Sequence, residues 1–411
     1  MWKLENLFLI DKRQLAFRLF EVGVLIAYLG SLNPLYFWPL GALYVVPAAF
    51  LVVMGMLLGN SLRKPMFNRQ DYLQPITAYV VLAYYLLFVN SGSLNGFIGS
   101  VFHIVVFLSL FRLNKELLFR LTTFISKAMA LWLLVSIPVF LLYLAGFPVP
   151  SGGNVQFGDG YYAYTNYYFF LLDDRALINI IPRFHSVFLE PGHLGTATVL
   201  LLFAQCGHWK KWYNIVLITA TLMTFSLAAY VLFTVIIFLN LWMQRKQIFR
   251  KVLLALLLIS GVTAGAFFYN GGDNLLHDLI LLRLEVDDDG NLSGDNRVAD
   301  WFEREFESYL QSSDVFLGRD YDNSISGNSG YRVFIYENGL VGTLLVVLLY
   351  GFSMRGGGDR RTLLSALTIA VLIFIVRGYP LWYSNFIPLY GLVYRNMNAP
   401  PQAEKQEEGA L

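Results

Sequence analysis

Residues 118–146 read LFRLTTFISKAMALWLLVSIPVFLLYLAG, and beyond Lys127 this stretch contains no charged residue. Wound as an α-helix at 1.5 Å per residue, the uncharged part from Ala128 to Gly146 is about 28 Å long, close to the roughly 30 Å of a bilayer's hydrocarbon core. Similar runs recur along the chain. Of its 411 residues 56% are hydrophobic and 14% charged, against about 25% charged in soluble domains. Soluble globular folds are excluded, and an all-α, polytopic bundle of membrane-spanning helices is expected.

About twelve spans are expected, at roughly 16 to 32, 39 to 59, 74 to 90, 95 to 111, 118 to 146, 189 to 206, 212 to 226, 227 to 243, 250 to 269, 331 to 353, 361 to 377 and 380 to 394. The last is short and holds Pro380 and Pro388, so a re-entrant segment and eleven spans is the alternative. Basic residues cluster in every second connection: Arg63, Lys64 and Arg69; Arg112, Lys115 and Arg120; Lys210 and Lys211; Arg245, Lys246, Arg250 and Lys251; Arg355, Arg360 and Arg361. Excess Lys and Arg in short loops marks the cytoplasmic side. Twelve spans then put both termini in the cytoplasm and two long loops, about 147–189 and 270–330, outside. Residues 1–395 form one integral membrane domain, and the Pro-, Gln- and Glu-rich tail 396–411 is expected to be disordered. Lys3, Lys12, Arg13 and Arg18 precede a retained first span. Cys206 is the only cysteine, which excludes an intramolecular disulfide framework, and a net charge of +2 gives no nucleic-acid surface.

The first long loop carries YYAYTNYYFF from Tyr161, whose tyrosines suit a membrane interface, with sugar stacking as the sharper alternative. In the second, the turn with Asp287, Asp288 and Asp289 lacks calcium-loop spacing and reads as solvated. Beyond it, Val298, Trp301, Phe302, Phe306, Tyr309 and Leu310 recur at helical spacing among charges, which predicts a short amphipathic helix.

The densest chemistry lies in RFHSVFLEPGHLG, Arg183 to Gly195, immediately before an apolar run. Ionisable groups at the edge of hydrocarbon are costly unless they serve a cavity or a partner. There is no phosphate-binding P-loop, no Gly-x-Ser-x-Gly elbow and no HExxH, and His185 and His193 stand too far apart for a helical zinc pair; no metal and no cofactor are expected. Arg175, Arg183, Arg297, Arg319, Arg332 and Arg377 all fall on the side away from the basic connections. Guanidinium groups suit phosphate or diphosphate. Arg175, Arg283 and Arg304 are expected to pair with neighbouring acids, whereas Arg183, Arg332 and Arg377 adjoin apolar segments and suit an anion. Glu190 reads two ways: a carboxylate or carboxylic acid that moves a proton, or a helix N-terminal carboxylate followed by Pro191 at the first helical position.

RFHSVFLEP resembles the Arg-x-x-(Ser/Gly)-x-Phe-x-Glu-Pro segment that follows the first large periplasmic loop in bacterial O-antigen and capsule repeat-unit polymerases of the Wzy type. SGDNRVADWFEREFESYLQSSDVFLGRD from Ser293 and NSGYRVFIYENGLVG from Asn328 are similar to two later segments of the polymerase and ligase superfamily. The spacings from Arg183 to Gly195 and from Arg332 to Gly342 fit it too. Asn328 stands where the ligases carry a histidine, which favours a polymerase over an O-antigen ligase; a transporter of anionic lipid-linked sugar is the further alternative. The resemblance implies a glycosyltransferase of the bacterial inner membrane acting on polyprenyl diphosphate-linked donor and acceptor glycans, with membrane lipid and a chain-length regulator protein as partners. Arg183, Arg297, Arg332, Arg377 and Arg319 would bind diphosphate without a metal, and Glu190, His185 or His193 would act as base in an inverting transfer.

Overall fold

The computed structural model describes residues 12–64, 69–88, 94–158, 162–173, 182–244, 300–319, 330–355 and 357–395, with scattered positions between 253 and 269. Helices dominate them. The tightest pair is α1 (Lys12–Gly30) with α2 (Val45–Leu58). A methyl group on Gly23 would lie 2.7 Å from the Ala48 carbonyl oxygen, and one on Gly55 would lie 2.6 Å from that of Ala16. Small residues let backbones approach, and van der Waals contact of this kind holds helices together where lipid supplies no hydrophobic drive.

Helices α3 (Arg69–Phe88), α4 (Leu94–Arg112) and α5 (Lys115–Leu144) follow, then α6 (Pro191–Ala204), α7 (Trp212–Met223) and α8 (Leu227–Gln244). After the second long loop come α9 (Asp300–Leu310), α10 (Tyr331–Met354), α11 (Arg360–Arg377) and α12 (Tyr383–Val393). Every residue of α12, and all of α6 except Pro191, is buried. Helices that are apolar all round belong at the centre of a bundle. Helix α12 has 11 residues and so spans only about 17 Å, roughly half a hydrocarbon layer.

Among the described residues, five helical segments are long and apolar enough to cross a membrane: Leu35–Leu58, α4, α5, α8 and α10. In each, under half of the most apolar stretch is buried. Phe50, Leu57, Leu131, Val231, Leu344 and Val347 face outward. Exposed apolar surface on this scale suits a non-aqueous neighbour, and the mostly helical fold is compatible with a helical membrane protein.

The two ends of the bundle differ. At one end the basic connections join each other: Lys64 N–H donates to the Arg112 carbonyl (2.8 Å) and Asn114 N–H to that of Leu62 (2.8 Å). Arg395 reaches His208 Nδ1 (3.3 Å) and covers the Phe119 ring, and Arg120 covers Phe17. Both ends of the described chain therefore lie at this end. The opposite end gathers the starts of α6, α10 and α12 and the close of α11.

One element corrects the all-α expectation. Inside the first long loop, β1 (Gly153–Phe157), β2 (Tyr162–Asn166) and β3 (Leu171–Asp173) form an antiparallel sheet in the order β1-β2-β3, with Val155 opposite Tyr164 and Thr165 opposite Leu172. Aromatic and β-branched residues at alternate positions suit a pleated strand as well as a lipid interface. Tyr164 packs with Leu171, Leu189 and Trp38 under the sheet. The amphipathic helix is α9; Phe302, Phe306 and Tyr309 pack on Tyr336 of α10. The tail 396–411 and Asp287–Asp289 lie outside the described residues.

Candidate functional site

From Arg183 to Glu190 the chain has no regular structure, yet it is fixed on all sides. Phe184 N–H donates to the Met223 carbonyl (3.1 Å), Leu171 N–H to that of Ser186 (2.8 Å) and Leu35 N–H to that of Val187 (2.8 Å). Ser186 has φ +54, the left-handed region that a side chain disfavours. Its hydroxyl accepts from Trp132 Nε1 (3.0 Å) and lies 2.9 Å from Ser136 Oγ. Backbone held this way marks a segment whose shape matters.

This segment delivers Glu190 to the start of α6. The Glu190 carbonyl accepts from His193 N–H (3.1 Å), but its side chain makes no capping hydrogen bond. The carboxylate turns outward instead. Tyr162 Oη donates to Oε1 at 2.5 Å, Arg377 Nη1 donates to Oε2 at 3.2 Å, and His193 Nε2 lies 3.6 Å from Oε2. Burial pushes this carboxyl up, but His193, Arg377 and the Tyr162 hydroxyl act the other way and hold it at about 2. The Tyr162 hydroxyl is raised well above its usual range, first by burial and then by the Glu190 charge.

Arg377 closes α11 and is 8% exposed. It reaches Glu190 only because position 192 is glycine: a Cβ there would stand 1.4 Å from Arg377 Nη2 and 2.5 Å from Cζ. The guanidinium thus lies against the first turn of α6, where helix N–H groups add positive potential. Gly378, at φ +67, ends α11 so tightly that a Cβ would fall 2.2 Å from the Gly330 carbonyl oxygen. That contact locks the end of α11 to the start of α10.

Around this pair, Tyr379 and Trp382 stack with centroids 4.3 Å apart, and the His193 ring stands edge-on to Trp382 at 4.8 Å. Burial raises the Tyr379 hydroxyl to about 12, with Glu190 and Glu337 adding to the rise and Arg377 opposing it. His185 Nδ1 sits 2.5 Å from the Phe188 carbonyl, which makes Nδ1 the protonated nitrogen and leaves the lone pair on Nε2. Burial lowers this imidazole to about 4, so it is neutral at pH 7. Four buried polar atoms near the start of α6 have no hydrogen-bond partner among the described residues: His185 Nε2, His193 Nδ1, Thr196 Oγ1 and Arg377 Nε. Such atoms are rare in a folded protein and call for a ligand or water.

The structure brings together Glu190, His193 and Arg377, with His185 behind them. Arg183 opens the same segment, and its Nε donates to the Thr224 carbonyl (3.1 Å) at the end of α7. Its charge also bears on His185. Arg319 and Arg332 meet acids instead: Arg319 pairs with Asp314 (2.6 Å) and Glu305 (2.8 Å), and Arg332 with Glu303 (2.6 Å). The amphipathic helix supplies Glu303 and Glu305, a pairing invisible in sequence because α9 and α10 are separate elements. Arg297, Arg175 and Arg283 lie outside the described residues. Sequence reasoning missed Gly192, Tyr162, Tyr379 and Trp382; only the Glu-Pro-Gly string hinted at the first. Among the described residues no three of His, Cys, Asp and Glu gather as a metal-binding group. No protein-family model, no curated protein and no solved structure matches this chain.

Proposed function

We propose that the chain is a glycosyltransferase that polymerises polyprenyl diphosphate-linked oligosaccharide repeat units, of the O-antigen or capsule kind, at the periplasmic face of a bacterial inner membrane. About twelve spans, with both termini in the cytoplasm, go with this reading. The observation that carries it is Arg377, a buried guanidinium aimed by Glu190, seated over the N-terminal turn of α6 through Gly192, with Nε unpartnered among the described residues. A permanent cation beside a helix N-terminus suits a lipid-linked diphosphate, whose leaving charge it would stabilise during transfer. Arg183, at the far end of the same fixed segment, would extend that positive surface, and Arg297, by the resemblance of its segment, would also bind diphosphate. Tyr379 and Trp382 offer aromatic faces to a sugar.

Glu190 first serves as the anion that orients Arg377. A carboxylate held at about 2 is a weak proton acceptor near neutrality, because general bases work best with a pKa close to the operating pH. The test is to incubate the purified full-length protein with a synthetic lipid-linked repeat unit, with and without EDTA. A ladder of longer lipid-linked glycans is expected in both. Absence of any ladder with a competent acceptor refutes the polymerase, transfer onto a lipid A core instead identifies a ligase, and a ladder abolished by EDTA refutes the metal-free mechanism.

A further inference from the structure

Helix α10 does not run straight through the bundle. At Gly339 the backbone takes φ 65 and ψ −177 inside the helix. The turn Phe316–Gly318 fits into the break: a Cβ on Gly339 would lie 2.4 Å from the Phe316 carbonyl oxygen, and one on Gly318 2.2 Å from that of Glu337. Tyr84 Oη ties the two sides, donating to the carbonyls of Leu317 (3.1 Å) and Asn338 (2.8 Å). Interrupted helices in membrane proteins are tolerated where the break is buried in protein or lines a cavity, and they recur at binding sites.

Glu337 stands two residues before this break. One turn earlier, Phe334 meets Phe374 of α11 edge-on with centroids 5.2 Å apart. Residues three apart share a helix face, so Glu337 lies on the face of Phe334, and Arg377 on the face of Phe374. The two faces look at each other. Because α10 starts where α11 ends, Arg377 stands one turn above the Phe334–Phe374 contact and Glu337 one turn below, about 9 Å apart along the bundle. The Tyr379 hydroxyl, just past the end of α11, lies within electrostatic reach of Glu190, Arg377 and Glu337. The Tyr85 ring is 5.9 Å from Phe334, and its hydroxyl is buried without a partner among the described residues. Glu337 itself has no hydrogen bond or ion pair among the described residues, whereas Glu190 is bound to Arg377 and Tyr162. An unpaired carboxylate on an apolar helix is a functional group by default.

We propose that Glu337 is the second carboxylate of this site and the proton acceptor in glycosyl transfer. The assignment rests on the polymerase reading above. The acceptor hydroxyl oxygen attacks the anomeric carbon of the donor glycan and forms the new C–O bond. The anomeric carbon–phosphate oxygen bond breaks, its electron pair leaves with the polyprenyl diphosphate, and the hydroxyl proton passes to the Glu337 carboxylate. In-line displacement requires the base and the leaving-group cation on opposite sides of the reacting carbon. The helix rise sets the Arg377 and Glu337 positions about 9 Å apart along the bundle, which leaves room for a sugar between the two side chains.

The experiment uses the full chain in lipid nanodiscs, lipid-linked repeat unit as substrate, and sodium azide as a nucleophile that needs no base. Glu337→Gln is expected to lower ladder synthesis by about 10²- to 10⁴-fold while forming glycosyl azide at the wild-type rate. Glu337→Asp, which keeps the charge, is expected to slow the ladder by roughly 10- to 100-fold with the azide product again unchanged. A wild-type ladder rate in Glu337→Gln, or equal loss of ladder and azide product in the Asp variant, overturns the assignment and leaves the polymerase standing. Absence of both products from the wild-type protein removes the polymerase reading and this base with it.

Discussion

Replacing Gly192 by alanine tests the site through a single carbon atom. The new Cβ would stand 1.4 Å from Arg377 Nη2, 2.5 Å from Cζ and 3.0 Å from Nη1. Carbon and nitrogen settle near 3.5 Å, so the guanidinium must retreat by about 2 Å. The 3.2 Å bond to Glu190 does not survive that shift. A hydrogen bond to a charged group contributes about 1.5–3 kcal/mol, which converts to roughly 10- to 150-fold in affinity for a ligand that Arg377 must meet in place. Alanine in a helix regains about 0.5–1 kcal/mol over glycine, so the thermal stability of the fold falls by less than the affinity does. The assay is binding of a lipid-linked diphosphate to the protein in nanodiscs, with the melting temperature followed in parallel. Gly192→Ala in an Arg377→Ala background is expected to add no further loss, since both changes remove one interaction. Unchanged affinity in the single variant would refute the claim that the seat of Arg377 against α6 is what the site uses.

Glu190 gives a pH signature. Its folded value of about 2 lies below the ordinary 4.3 or so of a free glutamate, so its contribution is fully present above about 4.3 and is lost as pH falls toward 2. Melting temperatures of wild type and Glu190→Gln are expected to converge on acidification from pH 5 to pH 3; a constant gap would contradict the pairing. Gly339→Ala places a methyl 2.4 Å from the Phe316 carbonyl at a φ of 65; the left-handed backbone alone costs about 1–2 kcal/mol, and the melting temperature should drop by several degrees, with Gly318→Ala behaving alike. Arg332→Ala, which removes a half-exposed pair with Glu303, should change stability by less than about 1 kcal/mol, checked in the same melts.

The positions of the described helices were legible because apolar runs of membrane length have few other readings; the span expected at 250 to 269 lies largely outside the described residues. The separation of the two ends was legible as well, since lysines and arginines fall in alternate connections and these connections bond to one another in the fold. Burial was harder to read. Helices α6 and α12 are as apolar as the outward-facing α4 and α8, and nothing local in sequence tells a helix surrounded by protein from one surrounded by lipid. The sheet escaped because an aromatic-rich run suits both a strand and an interface. Arg319 and Arg332 looked like anion binders until α9 brought its glutamates to them. Gly192 was opaque for a simpler reason: the need for glycine comes from a guanidinium 185 positions away, and one chain read alone does not show that encounter.

The glycines at 318 and 339 let backbone meet backbone without an intervening side chain. The break in α10 and the Phe316–Gly318 turn are therefore two halves of one fit, so a substitution in the second long loop bears on the helix that carries Glu337 as directly as one in the helix itself.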